Sequence, residues 1–179
     1  MEIIDRMIRA AKLDTSLYEE VEKDTKATNQ ALTVVIIASI CAGIGQAIGG
    51  IGVGGIIVGL VVGVITALIG WFIWSYITYF IGTRLFKGPK TKATYGELLR
   101  CIGFSNSPGT LRILSFIPIV GVIIAFIAGL WSLVAMVIAV RQALDFSTGR
   151  AIATCIVGFI VLLIISAAVG LFTAGLIML

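Results

Sequence analysis

Ile56-Ile57-Val58-Gly59-Leu60-Val61-Val62-Gly63-Val64-Ile65-Thr66-Ala67-Leu68-Ile69-Gly70-Trp71-Phe72-Ile73-Trp74-Ser75-Tyr76-Ile77-Thr78-Tyr79-Phe80 contains no Asp, Glu, Lys or Arg. A helix needs about 20 mostly apolar residues to cross roughly 30 Å of hydrocarbon, so this segment is long enough to span a bilayer. Ala31 to Ile48 and Ala151 to Leu179 are equally free of charge, and Leu98 to Ile117 and Ile119 to Val140 reach span length with polar interruptions. The chain is 59% hydrophobic and 12% charged, against about a quarter charged in soluble domains. The expected fold is all-α: a polytopic bundle of five transmembrane helices over about 31–49, 56–82, 98–117, 119–141 and 151–178, preceded by a short cytoplasmic amphipathic arm, residues 1–30.

Loop charge sets the expected orientation, because cytoplasmic connections collect Lys and Arg. Arg6, Arg9, Lys12, Lys23 and Lys26 precede the first span, while Gly49 to Gly55 carries no charge. Arg84, Lys87, Lys90, Lys92 and Arg100 follow the second span, Phe116-Ile117-Pro118 is uncharged, and Arg141 and Arg150 bracket the last connection. This alternation predicts an N-terminus inside, a C-terminus outside and a multi-pass protein of the cell membrane. A four-span arrangement would leave Arg141 and Arg150 outside. The third span is the irregular one: Pro108 and Pro118 each lack a backbone donor and Arg112 lies between them, a pattern that also suits a broken or re-entrant helix.

The arm reads as two helices. Ile3, Ile4, Met7, Ile8 and Ala11 recur on one face with Glu2, Asp5, Arg6, Arg9 and Lys12 on the other, the pattern of a helix lying at a membrane surface. A second helix is expected from Ser16, with Glu19 closing a capping box and Leu17, Tyr18 and Val21 on one side. An interfacial anchor packed beneath the bundle is the simplest role, and a docking arm the sharper alternative. Nothing at the N-terminus has the pattern of a cleaved signal, and neither end carries a lipidation motif.

The chemistry available is narrow. The chain has no His, and Cys41, Cys101 and Cys155 are far apart, so neither a metal site nor a disulfide framework is indicated and no cofactor is expected. Gly50, Gly52 and Gly55 match G-x-G-x-x-G, but they join two hydrophobic helices and not a strand and a helix, so a dinucleotide site is rejected. Gly55, Gly59 and Gly63, with Gly45 and Gly49 in the first span, instead form small-residue stripes of the kind that let helices approach closely in lipid, within the chain or against a second copy. Trp71 is expected about 20 Å above Arg84, where core packing is its simplest role. Arg112 is the one clear cation at membrane depth. Its expected partners are carbonyls freed by Pro108 or Pro118, Asn106, water or a lipid phosphate. Glu97 and Arg100 are expected to pair at i,i+3 near the inner boundary.

The run Thr94-Tyr95-Gly96-Glu97-Leu98-Leu99-Arg100-Cys101-Ile102-Gly103-Phe104-Ser105-Asn106-Ser107-Pro108, followed by Pro118 and Gly121, resembles the Yip (Ypt-interacting protein) domain family. So do Leu130-Trp131-Ser132-Leu133, Val140-Arg141-Gln142-Ala143-Leu144 and Gly149-Arg150-Ala151, and Leu17-Tyr18-Glu19-Glu20-Val21-Glu22 with Gln30-Ala31-Leu32 looks like prokaryotic members. The resemblance implies a five-helix bundle with N inside and C outside. Eukaryotic members bind prenylated Rab-type GTPases, but this sequence lacks their long N-terminal region and D-L-Y-G motif, so GTPase binding is not carried over.

The leading expectation is a non-enzymatic membrane scaffold or adaptor whose partners are anionic lipid headgroups at the inner face and another membrane protein or a second copy. Nucleic acid is not expected. The alternative is a small channel, lipid-handling protein or transporter subunit built on the third span. Candidate contact residues are Glu97, Arg100, Asn106, Pro108, Arg112, Pro118 and Arg141. Without His or paired acids inside the bundle, no catalytic set can be assembled.

Overall fold

A computed structural model describes residues 2–47, 53–88, 91–117 and 119–177. Their regular structure is helical throughout: α1 (Ile3–Ala11), α2 (Thr15–Lys23), α3 (Ala27–Ala47), α4 (Val53–Arg84), α5 (Tyr95–Phe104), a 3₁₀ segment (Ser107–Phe116), α6 (Val120–Ala143) and α7 (Thr148–Ile177). Helix is the expected outcome in lipid, where every backbone donor and acceptor must be satisfied within the segment. Four of these helices, α3, α4, α6 and α7, are long and apolar enough to cross a membrane.

The stretch expected as the third span is broken, the form that its prolines left open: α5 is followed by the 3₁₀ segment. Thr94 starts α5 with a capping box, its Oγ1 accepting from Glu97 N and its own N–H donating to Glu97 Oε2 at 2.7 Å. After Phe104 the path tightens, and a row of hydroxyls bonds back three residues: Ser105 to Ile102 O, Ser107 to Phe104 O, Thr110 to Ser107 O and Ser115 to Arg112 O, all at 2.6–2.8 Å. These bonds satisfy carbonyls that a 3₁₀ path leaves poorly paired. Pro108 lies in the first turn of that segment, where its missing N–H costs nothing. Pro118 lies outside the described residues.

The 3₁₀ segment runs alongside α3. A Cβ on Gly103 would meet Ala31 Cβ at 2.7 Å, one on Gly109 would meet Ala38 Cβ at 3.7 Å, and one on Gly45 would collide with the Arg112 carbonyl and Ser115 Oγ. From Ala31 to Gly45 is about 21 Å of α-helix at 1.5 Å per residue. The facing strip from Gly103 to the Arg112–Ser115 turn covers that height in fewer residues, as a 3₁₀ rise of about 2.0 Å requires.

The core lies at the charged end of the bundle. Leu17, Tyr18 and Val21 of α2, Leu98, Cys101 and Phe104 of α5, Val34 of α3 and Val140 of α6 are all fully buried there, with Leu144 just beyond α6. Trp71 joins this core as expected and donates from Nε1 to Leu99 O at 2.9 Å. Toward the other end the helices expose Val58, Val62 and Ile65 of α4 and Leu163, Ile164 and Leu171 of α7. Apolar surface of that extent is what lipid covers.

The arm is part of this core, and α1 sits in an inverted sense. Its cation Arg6 is buried, while Ile4 and Ile8 are 63% and 50% exposed. Arg6 donates to Glu20 Oε1 at 2.7 Å, to Asp24 Oδ2 at 2.9 Å and to Gln30 Oε1 at 2.8 Å. Arg9 donates to Asp14 Oδ2 and Glu20 Oε2, both at 2.8 Å. Trp131 of α6 donates from Nε1 to Ala11 O at 2.8 Å, tying the end of α1 to the side of a long helix. Charge faces protein and isoleucine faces outward, the arrangement expected of a helix whose outer surroundings are lipid.

Candidate functional site

The residues singled out from sequence fall in two places. Glu97, Arg100 and Arg141 lie at the charged end, where they hold elements together. The expected Glu97–Arg100 pair is absent: Glu97 is engaged in the α5 capping box, and Arg100 reaches across to α2, donating from Nε to Val21 O at 2.7 Å and from Nη2 to Glu22 O. The last carbonyls of a helix carry the negative end of its dipole and have no intrahelical partner, so a guanidinium satisfies two of them at once. Arg141 bridges the α6–α7 connection, donating to Gln142 Oε1 at 3.3 Å and Thr148 Oγ1 at 3.4 Å.

Charge at this end is arranged in two opposed ways. Asp14 is held down to about 2 by Ser16, which donates to its carboxylate, and by Arg9. Glu20, through Arg9 first, and Asp24, through Arg6 first, are also lowered. Glu22 goes the other way. Burial, then Glu97 and Asp145, push it up to about 7, opposed by Lys23 and reinforced by Glu19. A carboxylate with a depressed folded value contributes stability that is present above its unfolded value and lost as pH falls through the folded one. A raised carboxylate contributes stability that is present at low pH and lost as pH rises toward the folded value. Arm docking is therefore expected to be firmest near pH 4 to 5, to weaken toward pH 2 through Asp14, and to weaken again toward pH 7 through Glu22. Hydrogen exchange of α2 amides measured against pH in detergent checks this, and Glu22→Gln should remove the upper limb alone.

Arg112 lies in the second place, a cavity of about 910 Å³ between α3, α4, the 3₁₀ segment, α6 and α7. Its guanidinium lies beside α6, where a Cβ on Gly129 would come within 3.3 Å of Nη2. Gly129 is about 14 Å along α6 from Val120 at 1.5 Å per residue, so the charge sits well inside the apolar layer. Arg112 Nε is buried without a hydrogen-bond partner, and so are Ser132 Oγ and Trp74 Nε1, both on residues lining the cavity. Among the described residues no carbonyl accepts from Arg112 Nε. Asn106, another lining residue, spends its amide on Ile102 O at 2.9 Å and Gly103 O at 3.4 Å.

The glycines divide in a way their spacing does not show. Gly45 is a close-approach position, as is Gly43, where a Cβ would meet Leu60 Cδ2 at 2.6 Å. Gly59 and Gly63 make no close approach among the described residues. A Cβ at either meets nothing within 4 Å, and both line the cavity. The side surroundings of Gly55 fall outside the described residues, as does Gly49. Sequence reasoning missed Ser132 and Trp74 as part of this site. The signal for Ser132 was present: it is the only hydroxyl between Val120 and Ala143, and a polar group in an otherwise apolar span needs a reason.

Helices of membrane length, an apolar exterior and a charged end together define a multi-pass integral membrane protein. A scan against protein-family models matches the Yip1 domain over residues 15–170, from the first residue of α2 into α7, and the chain belongs to that family. No curated protein and no solved structure matches it.

Proposed function

We propose that the chain is a non-enzymatic scaffold or adaptor of the Yip1 family with five crossings, N-terminus inside and C-terminus outside. The observation that carries the scaffold reading is the arm: Arg6 and Arg9 clamp α1 onto α2, α2 is held by Arg100, and the charged end becomes a rigid platform. Ile4 and Ile8 anchor its rim in lipid, leaving Lys12, Glu19 and Lys23 to meet a partner.

Geometry also supports the fifth crossing. Leu98 to Phe104 contributes about 10 Å of α-helix and Ser107 to Phe116 about 20 Å of 3₁₀ rise, together the thickness of the hydrocarbon layer. The stretched segment lets a short run reach across, and it returns the charged ends of α4, α5, α6 and α7 to one side.

Site-specific photo-cross-linking in intact membranes tests both parts. A cross-linker at Lys23 should capture discrete protein products, and one at Ile8 should capture lipid. Capture of nothing from Lys23 overturns the scaffold reading. Cysteines at Lys92 and Ser147 should react with an impermeant thiol reagent only after cells are opened. Labelling of Ser147→Cys in intact cells overturns the orientation.

A further inference from the structure

We propose that the cavity beneath Arg112 binds one phospholipid with an anionic headgroup, its phosphate held by Arg112 and Ser132 and its chains laid over the glycine face of α4. Three donor atoms of residues that line the cavity are buried without hydrogen-bond partners: Arg112 Nε, Ser132 Oγ and Trp74 Nε1. Arg and Trp can only donate and a hydroxyl can do so, so the ligand that complements them is rich in acceptors. It must also be negative. All nine acids lie in residues 2–24 or at Glu97 and Asp145, outside the apolar spans, and none forms an ion pair with Arg112 among the described residues. A guanidinium presents its donors as a planar fork that matches phosphate oxygens, and a charge in apolar surroundings is stable only when paired.

The rest of the lining identifies a lipid as the source of that phosphate. Apart from its polar atoms the wall is mostly apolar, with Val35, Val62, Leu133, Phe159 and Leu162 among its residues, a surface for hydrocarbon. Gly59, Gly63 and Gly70 line it while remaining exposed, with open space where a side chain would stand. The cavity therefore opens sideways toward the bilayer, where a lipid can enter and a hydrated ion cannot easily do so. Its volume of about 910 Å³ is at the upper end of ordinary ligand sites. This inference is independent of the scaffold reading, because the site can be filled whether or not the arm recruits a partner.

The test uses the full chain, purified, stripped of lipid and titrated with phosphatidylglycerol or phosphatidylcholine in detergent, with bound lipid counted by native mass spectrometry. Phosphatidylglycerol should be retained at least tenfold better than phosphatidylcholine. Arg112→Leu should abolish that preference and Arg112→Lys should keep part of it. Gly63→Leu fills the chain-binding face without touching a charge and should lower retention of both lipids. Ser132→Val should weaken phosphatidylglycerol retention severalfold and keeps the test available if Arg112→Leu does not fold. Lys92→Leu, at an exposed loop position, should change nothing. Equal retention in wild type, Arg112→Leu and Ser132→Val overturns the proposal, as does loss confined to Lys92→Leu. Stabilisation by inorganic phosphate alone, matching that by phosphatidylglycerol, would assign the site to a soluble anion and overturn the lipid.

Discussion

Arg6→Leu is expected to release the N-terminal arm while the long helices stay folded. Arg6 has a side chain only 7% exposed and holds Glu20 and Asp24, each 32% exposed, at 2.7 and 2.9 Å. Removing one member of a fully buried ion pair costs about 3–5 kcal/mol. Here the stranded acids keep partial access to water and Glu20 keeps Arg9, so about 2–3 kcal/mol is the expected loss. That raises the population of the detached arm by about thirtyfold or more. Protease cleavage near Arg9 and Lys12 should accelerate accordingly, and the Trp131 indole, which donates to Ala11 O, should report the release by fluorescence. Lys23→Ala is the control, since its contact with Glu19 is 4.0 Å long and exposed and is worth well under 1 kcal/mol. Equal protease sensitivity in the two variants would show that the arm is held by apolar contacts alone.

The long helices were legible in sequence because lipid leaves no alternative: Ile56 to Phe80 carries no charge and lies within α4. The 3₁₀ path within the stretch expected as the third span was not legible, for a local reason. Average hydropathy cannot register that Ser105, Ser107, Thr110 and Ser115 all bond back to carbonyls three residues earlier, and that series is what turns the path to 3₁₀. The pairing of Glu97 with Arg100 followed from helical spacing, yet Thr94 N and the α2 carbonyls compete for the same groups, and contacts between elements are invisible to spacing. The arm's amphipathic pattern was legible, with Ile4 and Ile8 outward; the burial of Arg6 was not, because the acids that hold it lie on a second helix. Arg112 stood out as a cation at depth. The cavity around it did not, because a glycine that lines a space and a glycine that touches a helix look alike in sequence.

That last ambiguity sets up the second large effect, a reversal between two glycines of the same apparent kind. Gly45→Leu should disrupt the bundle. Its Cβ would collide with the Arg112 backbone carbonyl, and a backbone atom cannot rotate away as a side chain does. Overpacking costs about 1–3 kcal/mol where side chains can adjust, so displacement of a backbone segment should lie at or above the top of that range. The thermal midpoint in detergent should fall by many degrees, and the 3₁₀ segment should lose amide protection first. Gly59→Leu has open space at its Cβ and replaces a poor helix former with a good one, a gain of up to about 1 kcal/mol. It should leave the midpoint unchanged or raised. The contrast separates close approach from cavity lining in a single pair of melts. Equal losses at both positions would mean that the face at Gly59 is covered by a retained lipid or a second copy of the chain, which native mass spectrometry of the same sample distinguishes. Equal tolerance would mean that the 3₁₀ segment can withdraw from α3, and with it the carbonyl that makes Gly45 indispensable.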